Sequence, residues 1–205
     1  MNSPWQSLSD GAWARHFRFF RLWLQKPRQV GAILPSSPAL AQAMAERVDA
    51  AAPGAVVEFG GGTGSITKAL LRKSAAELYV IEREPALVAV LQERWPDLRV
   101  FCADVREVKA LMAQAGVARV KAVVSGLPLL SMNLNLRRDI LRAAFEVLAP
   151  GGVFIQFTYG RKSSVPEPLC RRLGLVARRV TWIVSNVPPA AVWEYRRIGD
   201  PPRVH

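Results

Sequence analysis

A Rossmann-like α/β fold, with a doubly wound seven-stranded sheet and an N-terminal amphipathic helical extension, is predicted by three observations. Short apolar runs alternate with helical stretches from residue 56 to about 159, the pattern that stacks helices on both faces of a mostly parallel sheet. The first run, Val56-Val57-Glu58-Phe59, leads through Gly60-Gly61-Gly62-Thr63-Gly64 into Ser65-Ile66-Thr67: a strand, a glycine turn and a helix start. Several strand runs also end on a carboxylate, at the sheet edge where ligands bind in such folds.

Taking the elements in order, residues 11–25 place Trp13, Phe17, Phe20 and Leu24 at helical spacing. Phe19, Leu22 and Trp23 widen the apolar face, and Arg15, Arg18 and Arg21 supply a cationic side. Aromatic rings opposite arginines describe a helix lying in a lipid interface. The same pattern also suits a helix docked on the protein's own core, and both readings stand. Residues 1–50 are assigned to this lid-like, membrane-contacting helical segment and residues 51–205 to the α/β domain. The strand candidates there are 56–59, 78–81, 98–102, 122–124, 153–157, 180–184 and 191–195. The helix candidates are 65–74, 84–95, 105–115 and 134–148; Pro85 suits the first turn of the second. Ala149-Pro150-Gly151-Gly152 is a stop signal after the last. The final two strands, joined through Ser185-Asn186-Val187-Pro188-Pro189, suit a hairpin-like pair closing the sheet.

The neighbours of the glycine turn decide which ligand it takes. Glycine reaches positive φ without strain and lets a ligand lie on bare backbone, and the helix N-terminus behind it offers free N–H groups. A dinucleotide fingerprint G-x-G-x-x-G would need Gly or Ala at 65 or 67, where the chain has Ser65 and Thr67. Glu58, two residues before Gly60, instead suits the methionine ammonium of S-adenosylmethionine (SAM). Glu82, followed by Arg83, suits the ribose hydroxyls, and Asp104, followed by Val105, the adenine amino group. Ser125 ends the fourth strand before Gly126-Leu127-Pro128, near the methionine end. With Gly60, Gly62, Thr63 and Gly64 in the turn, these positions read as the cofactor site of a SAM-dependent methyltransferase, with S-adenosylhomocysteine as product.

Composition narrows the class further. The 205 residues suffice for one buried core. Cys102 and Cys170 are too few for a disulfide framework and no secretory signal is visible, which points to the cytoplasm. His16 and His205 are the only histidines, so neither a clustered metal site nor a histidine-based triad is expected. No apolar run is long and clean enough to span a bilayer. The net charge of +12 sits at the ends: +4 over residues 1–30 and +6 over residues 160–205. Two basic ends on a near-neutral middle imply a polyanionic partner, either nucleic acid or an anionic membrane surface. RNA binding usually brings aromatics interleaved with basic residues on an exposed sheet, or an added domain, and neither is evident.

Several motifs carry a resemblance. They are Val30-Gly31-Ala32-Ile33-Leu34-Pro35-Ser36-Ser37, Glu58-Phe59-Gly60-Gly61-Gly62-Thr63-Gly64 with Ile66-Thr67, and Ile81-Glu82-Arg83. Two more follow: Val123-Val124-Ser125-Gly126-Leu127-Pro128-Leu129-Leu130, and Gly151-Gly152 with Gln156-Phe157-Thr158-Tyr159. Over nearly its whole length the chain resembles the soluble bacterial phospholipid N-methyltransferases of the rhizobial type, class I enzymes that convert phosphatidylethanolamine toward phosphatidylcholine. The Pro-Ser-Ser and Ser-Gly-Leu-Pro-Leu-Leu segments are the specific part, since class I methyltransferases share the glycine motif. The rival rRNA adenine dimethyltransferases carry an Asn-Leu-Pro-Tyr type motif whose ring stacks on a flipped base; Leu129 cannot stack in that way.

The resemblance implies a metal-free, monomeric enzyme held at the inner face of the cytoplasmic membrane, acting on phosphatidylethanolamine and its methylated derivatives. Tyr159 and Ser125 would stand at the reacting centre. Tyr159, Trp182 and Tyr195 would face the headgroup nitrogen, and Ser36, Ser37 and Arg161 its phosphate. Ordinary structural roles compete for several of these: Trp182 and Tyr195 as sheet or core aromatics, and Ser36 as cap of a helix starting near Pro38. Arg161, Lys162, Arg171 and Arg172 would add electrostatic contacts to an anionic surface. An rRNA adenine N-methyltransferase and a non-catalytic membrane protein of the same fold remain the alternatives.

Overall fold

The computed structural model describes residues 37–73, 76–184, 186 and 188–200. The amphipathic helix expected over residues 11–25, and Ser36, lie outside them. The elements run α1 (Pro38–Ala45), β1 (Ala55–Phe59), α2 (Ser65–Lys73), β2 (Leu78–Glu82), α3 (Pro85–Arg94), β3 (Arg99–Cys102), α4 (Val108–Gln114), β4 (Val120–Ser125), α5 (Leu134–Val147), β5 (Leu148–Tyr159), α6 (Glu167–Arg172), β6 (Leu175–Ile183) and β7 (Ala190–Arg197). Every residue of β1, β2 and β4 is buried, which is why these strands read as unbroken apolar runs: a parallel sheet is covered on both faces.

The seven strands form one sheet in the order β3-β2-β1-β4-β5-β7-β6. The first five are parallel, while β7 runs antiparallel to both β5 and β6. The expected closing hairpin is therefore present, with its second strand inside the sheet and its first at the edge. Two strands, β5 and β6, start well before the expected residues 153 and 180, and the other starts agree to within about two residues. β5 begins at Leu148, because Ala149-Pro150-Gly151-Gly152 forms a bulge rather than a break: Val120 pairs with Leu148 and Ala122 with Val153. Gly151 takes φ +74° there, a conformation glycine adopts without strain. β6 begins at Leu175, and its periodicity is hidden by Arg178, Arg179 and a register shift between Arg179 and Thr181.

One core cluster joins Val57, Phe59, Ile81, Val123 and Phe154 to Val108, Met112, Ile140 and Leu141 of α4 and α5. Leu40, Met44, Ile66, Leu70 and Leu91 of α1, α2 and α3 are buried as well. Ser37 caps α1, its Oγ accepting the Leu40 N–H at 3.2 Å, so the cap expected at Ser36 lies one residue later. At the other end of α1, Arg47 Nε donates to Glu194 Oε1 of β7 at 2.7 Å, and the Glu194 side chain is 5% exposed. Arg197 of β7 donates to the carbonyls of Phe145, Leu148 and Ala149, fixing the bulge of β5.

Candidate active site

The carboxyl ends of β1 to β5 carry Glu58, Glu82, Asp104, Ser125 and Tyr159 in turn. Between β1 and α2, the glycine turn is pinned by Gly60 N–H donating to Ile81 O at 2.8 Å and Gly64 N–H to Gly61 O at 2.9 Å. Gly60, Gly62 and Gly64 all have positive φ, yet the space around them differs. A Cβ on Gly64 would meet the Trp95 ring at 2.5 Å, whereas a Cβ on Gly62 would meet nothing within 4 Å among the described residues. Gly64 is required by packing, and Gly62 leaves its backbone open to a ligand. Gly64→Ala should therefore lower the melting temperature well beyond Gly62→Ala, which carries only the left-handed strain of about 1–2 kcal/mol. Thermal unfolding of the two variants checks this.

Glu58 is fully buried. Its Oε2 accepts the Thr67 hydroxyl at 2.7 Å, while Oε1 has no hydrogen-bond partner among the described residues. Burial raises its pKa to about 8, opposed by the Thr67 hydrogen bond and reinforced by the nearby Glu82. A buried carboxylate with one bare oxygen is set to receive a cation or a strong donor.

Glu82 closes the turn from the next strand: its Oε2 accepts the Gly62 N–H and its Oε1 the Glu84 N–H, both at 2.9 Å. Each carboxylate oxygen keeps a second lone pair, so two hydroxyls can still be accepted. Arg83 is exposed and Val105 buried. Asp104 caps the turn Val105–Glu107 in a capping box with Glu107, and both its oxygens are engaged by Arg106, at 2.9 and 2.8 Å. That hydrogen bonding holds its pKa below the usual carboxylate value. Arg106 therefore fixes the orientation of Asp104, a dependence the sequence reading missed. Thr63 contributes its carbonyl to Arg94 at 3.0 Å, tying the turn to α3.

Opposite residues on paired strands share a sheet face. Glu58 faces with Val124 and Ile155, and so with Phe157 and Tyr159; Ser125 lies on the other face with Gln156 and hence Thr158. Ser125 is fully buried and its Oγ accepts the Leu127 N–H at 3.3 Å, so it shapes the turn after β4. Tyr159 is half-buried, packs edge-on to Phe157 with ring centroids 5.4 Å apart, and hydrogen-bonds Asn186. Burial pushes its phenol pKa up, which favours the neutral phenol.

Trp182 reaches the same sheet end, half-buried, two strands from Thr158 by way of Ala191. Arg161 is exposed at one end of a groove of about 1210 Å³ that it shares with Lys162, Arg178 and Trp193. Tyr195 corrects the expectation of a headgroup contact. It is 0% exposed in mid-strand, packs on Phe154 with centroids 5.8 Å apart, and its hydroxyl meets Ser163 Oγ at 2.6 Å. Ser37, whose Oγ already accepts the α1 amide, acts first as a cap. Gln156 and Thr158, quoted in the sequence only as part of a motif, and Trp193 had no role assigned: Gln156 Oε1, Thr158 Oγ1 and Trp193 Nε1 are buried and have no hydrogen-bond partner among the described residues. Gln156 pairs directly with Trp193 across β5 and β7, so the three form a polar row beside Ser125. A glutamine and a threonine alternating inside an apolar strand were the available signal.

The family model of a methyltransferase domain matches residues 56–152, from β1 through the bulge of β5. An ornithine lipid N-methyltransferase of Singulisphaera acidiphila is 31% identical over 191 residues, covering 90% of this chain and 97% of its own. The chain belongs to the SAM-dependent methyltransferases. A probable ribosomal RNA small subunit methyltransferase A of Methanococcoides burtonii is 34% identical over 110 residues, covering 52% of this chain and 36% of its own. Among solved structures, the 1,6-didemethyltoxoflavin-N1-methyltransferase of Burkholderia thailandensis, bound to S-adenosylhomocysteine, superposes with a TM-score of 0.64. It is 16% identical, and the match covers 96% of this chain and 93% of that one. The fold of this methyltransferase is thus the class I Rossmann-like fold, and its methyl donor is SAM.

The chain's own residues fit that cofactor. Glu58 Oε1 is a bare buried acceptor suited to an ammonium, Gly62 leaves open backbone, and Glu82 keeps lone pairs for hydroxyls. Asp104, held by Arg106, retains acceptor capacity for an exocyclic amine.

Proposed function

We propose that this methyltransferase N-methylates the amine headgroup of a membrane lipid, with phosphatidylethanolamine and its partly methylated forms as substrates on the way to phosphatidylcholine. The observation that carries this reading is the likeness, over 90% of the chain, to an enzyme named for a lipid amine substrate. When bound, SAM supplies an electrophilic methyl group whose leaving thioether needs no acid. The protein's work is then to align the amine and keep water out. Buried Ser125, Gln156 and Thr158 support one side of the acceptor region, and the Tyr159 ring offers a π-face to a nitrogen that gains charge as methyl groups are added. The amine must be neutral to attack, and its remaining proton leaves to water or a weak acceptor.

A second reading, methylation of rRNA adenine, draws on the likeness to the archaeal enzyme. Against it, Leu129 stands buried where a stacking ring would be needed. Transfer of radiolabelled methyl groups to phosphatidylethanolamine vesicles, ornithine lipid vesicles and bulk RNA, offered in parallel, tests the readings. Label in phosphatidylethanolamine products supports the first; label confined to ornithine lipid narrows it to another lipid amine. Label in RNA alone replaces it.

Residues 1–50 are proposed to hold the enzyme on the inner face of the cytoplasmic membrane through Trp13, Phe17, Phe20 and Leu24, with Arg15, Arg18 and Arg21 at the phosphates. Phe17→Ser with Phe20→Ser should then release the protein from liposomes in sedimentation while SAM binding stays intact. Unchanged sedimentation would make that segment part of the core.

A further inference from the structure

We infer that the loops at the carboxyl edge of the sheet form a second membrane-contacting surface, one that presses the acceptor site against an anionic bilayer. The inference rests on the proposed lipid substrate and adds which face of the α/β domain meets it. Three loops build this rim: residues 126–133 after β4, residues 160–165 after β5, and the β6–β7 connection. They are tied together. Arg137 donates to Leu130 O and Met132 O of the first loop, at 2.9 Å each, and to Ser164 O of the second at 2.8 Å. Gly160 N–H reaches Pro189 O at 3.4 Å, and Tyr159 hydrogen-bonds Asn186. These bonds link the described parts of the three loops around the half-buried Tyr159.

Two properties set this rim apart. The first is apolar exposure. Among the described residues the exposed large hydrophobics are Leu71, Leu130, Leu134, Val176, Val184 and Ile198. Leu130, Leu134 and Val184, exposed by 49%, 55% and 69%, all belong to this edge. From β4 to β6 is three strand spacings, about 14 Å, so they spread across the mouth of the acceptor site instead of clustering at one point. Scattered single hydrophobics are ordinary on a surface; a set framing the mouth of a site is not.

The second is charge. Arg161 and Lys162 stand exposed on the middle loop, and the three rim loops contain no aspartate or glutamate. Aliphatic side chains beside cations, with no carboxylate, match the layering of an anionic bilayer, in which phosphates lie above the acyl boundary. A flat RNA backbone would meet the cations but gain nothing from three aliphatic tips. Docked this way, a headgroup can pass from the bilayer to Tyr159 without its acyl chains crossing water.

The test labels single cysteines with an environment-sensitive fluorophore in the full-length Cys102→Ser protein, Cys170 being buried. Leu130→Cys and Val184→Cys report on the rim and Leu71→Cys on α2. On adding phosphatidylethanolamine–phosphatidylglycerol vesicles, labels at 130 and 184 should shift to the blue and lose iodide quenching severalfold, while the label at 71 stays aqueous. Arg161→Gln with Lys162→Gln should weaken these shifts and flatten their salt dependence. Rim labels that remain aqueous, or a shift at 71 equal to that at 130, overturn the inference. Methyl transfer is read in the same samples. Rim insertion without lipid methylation would leave the surface standing and sink the lipid-substrate reading, and lipid methylation without insertion would do the reverse.

Discussion

Glu58→Ala should bind SAM at least about 100-fold more weakly than the wild type, the loss of roughly 3 kcal/mol expected when a buried charge-assisted contact is removed. Activity should fall with it, while vesicle binding persists. Glu58→Gln separates charge from shape: it keeps the Thr67 contact and the packing but offers only a neutral oxygen. The raised pKa adds a pH signature. The unfolded chain loses this proton near 4.5 and the folded protein near 8. Stability contributed by this group is thus fully present below pH 4.5 and lost as pH rises toward 8. Receipt of an ammonium needs the ionised carboxylate, so SAM affinity should rise about tenfold per pH unit up to about pH 8, with one proton released on binding. Isothermal titration in buffers of different ionisation enthalpy reads that proton directly. A pH-independent affinity, or a Glu58→Gln variant that still releases a proton, would remove Glu58 from this role.

Arg47→Met should destabilise the fold by about 3 kcal/mol, the scale for removing one partner of a buried ion pair. It strands Glu194, whose side chain is 5% exposed and whose other guanidinium neighbour, Arg196, lies 3.6 Å away. For a chain of this size that is a fall of about 6–12 °C in melting temperature. The double change Arg47→Met with Glu194→Met should recover most of the loss, because it replaces the pair instead of breaking it. Failure of the double variant to recover would mean that the contact between α1 and β7 needs the charges themselves.

Much of this architecture was legible in the chain because local rules carry it. The glycine turn is announced by three positions that need positive φ, and Glu58, Glu82 and Ser125 by their places at the ends of apolar runs. What stayed hidden depends on partners far away in sequence. Nothing near Tyr195 distinguishes a headgroup-facing ring from one filling the core beside Phe154; the decision lies with Ser163 and the pairing of β5 with β7. Asp104 could be placed at a strand end, but its capture by Arg106 depends on how the turn Val105–Glu107 closes. Pro150-Gly151-Gly152 reads as a terminator by composition, and only the register with β4 makes it a bulge.

The insertion of β7 between β5 and β6 has a consequence for how the chain is made. As the polypeptide leaves the ribosome, β1 through β5 can assemble first, leaving the far side of β5 with unpaired N–H and C=O groups. The next strand to emerge, β6, is not the one that belongs there. Its native direction is parallel to β5, so early pairing would be plausible in direction and wrong in partner. The nascent protein must hold that place open until residues 190–197 arrive, and only then does the wall beside Tyr159 exist. Slow translation or a stalled chain in this interval would expose a sticky edge at the stage when misassembly is most costly.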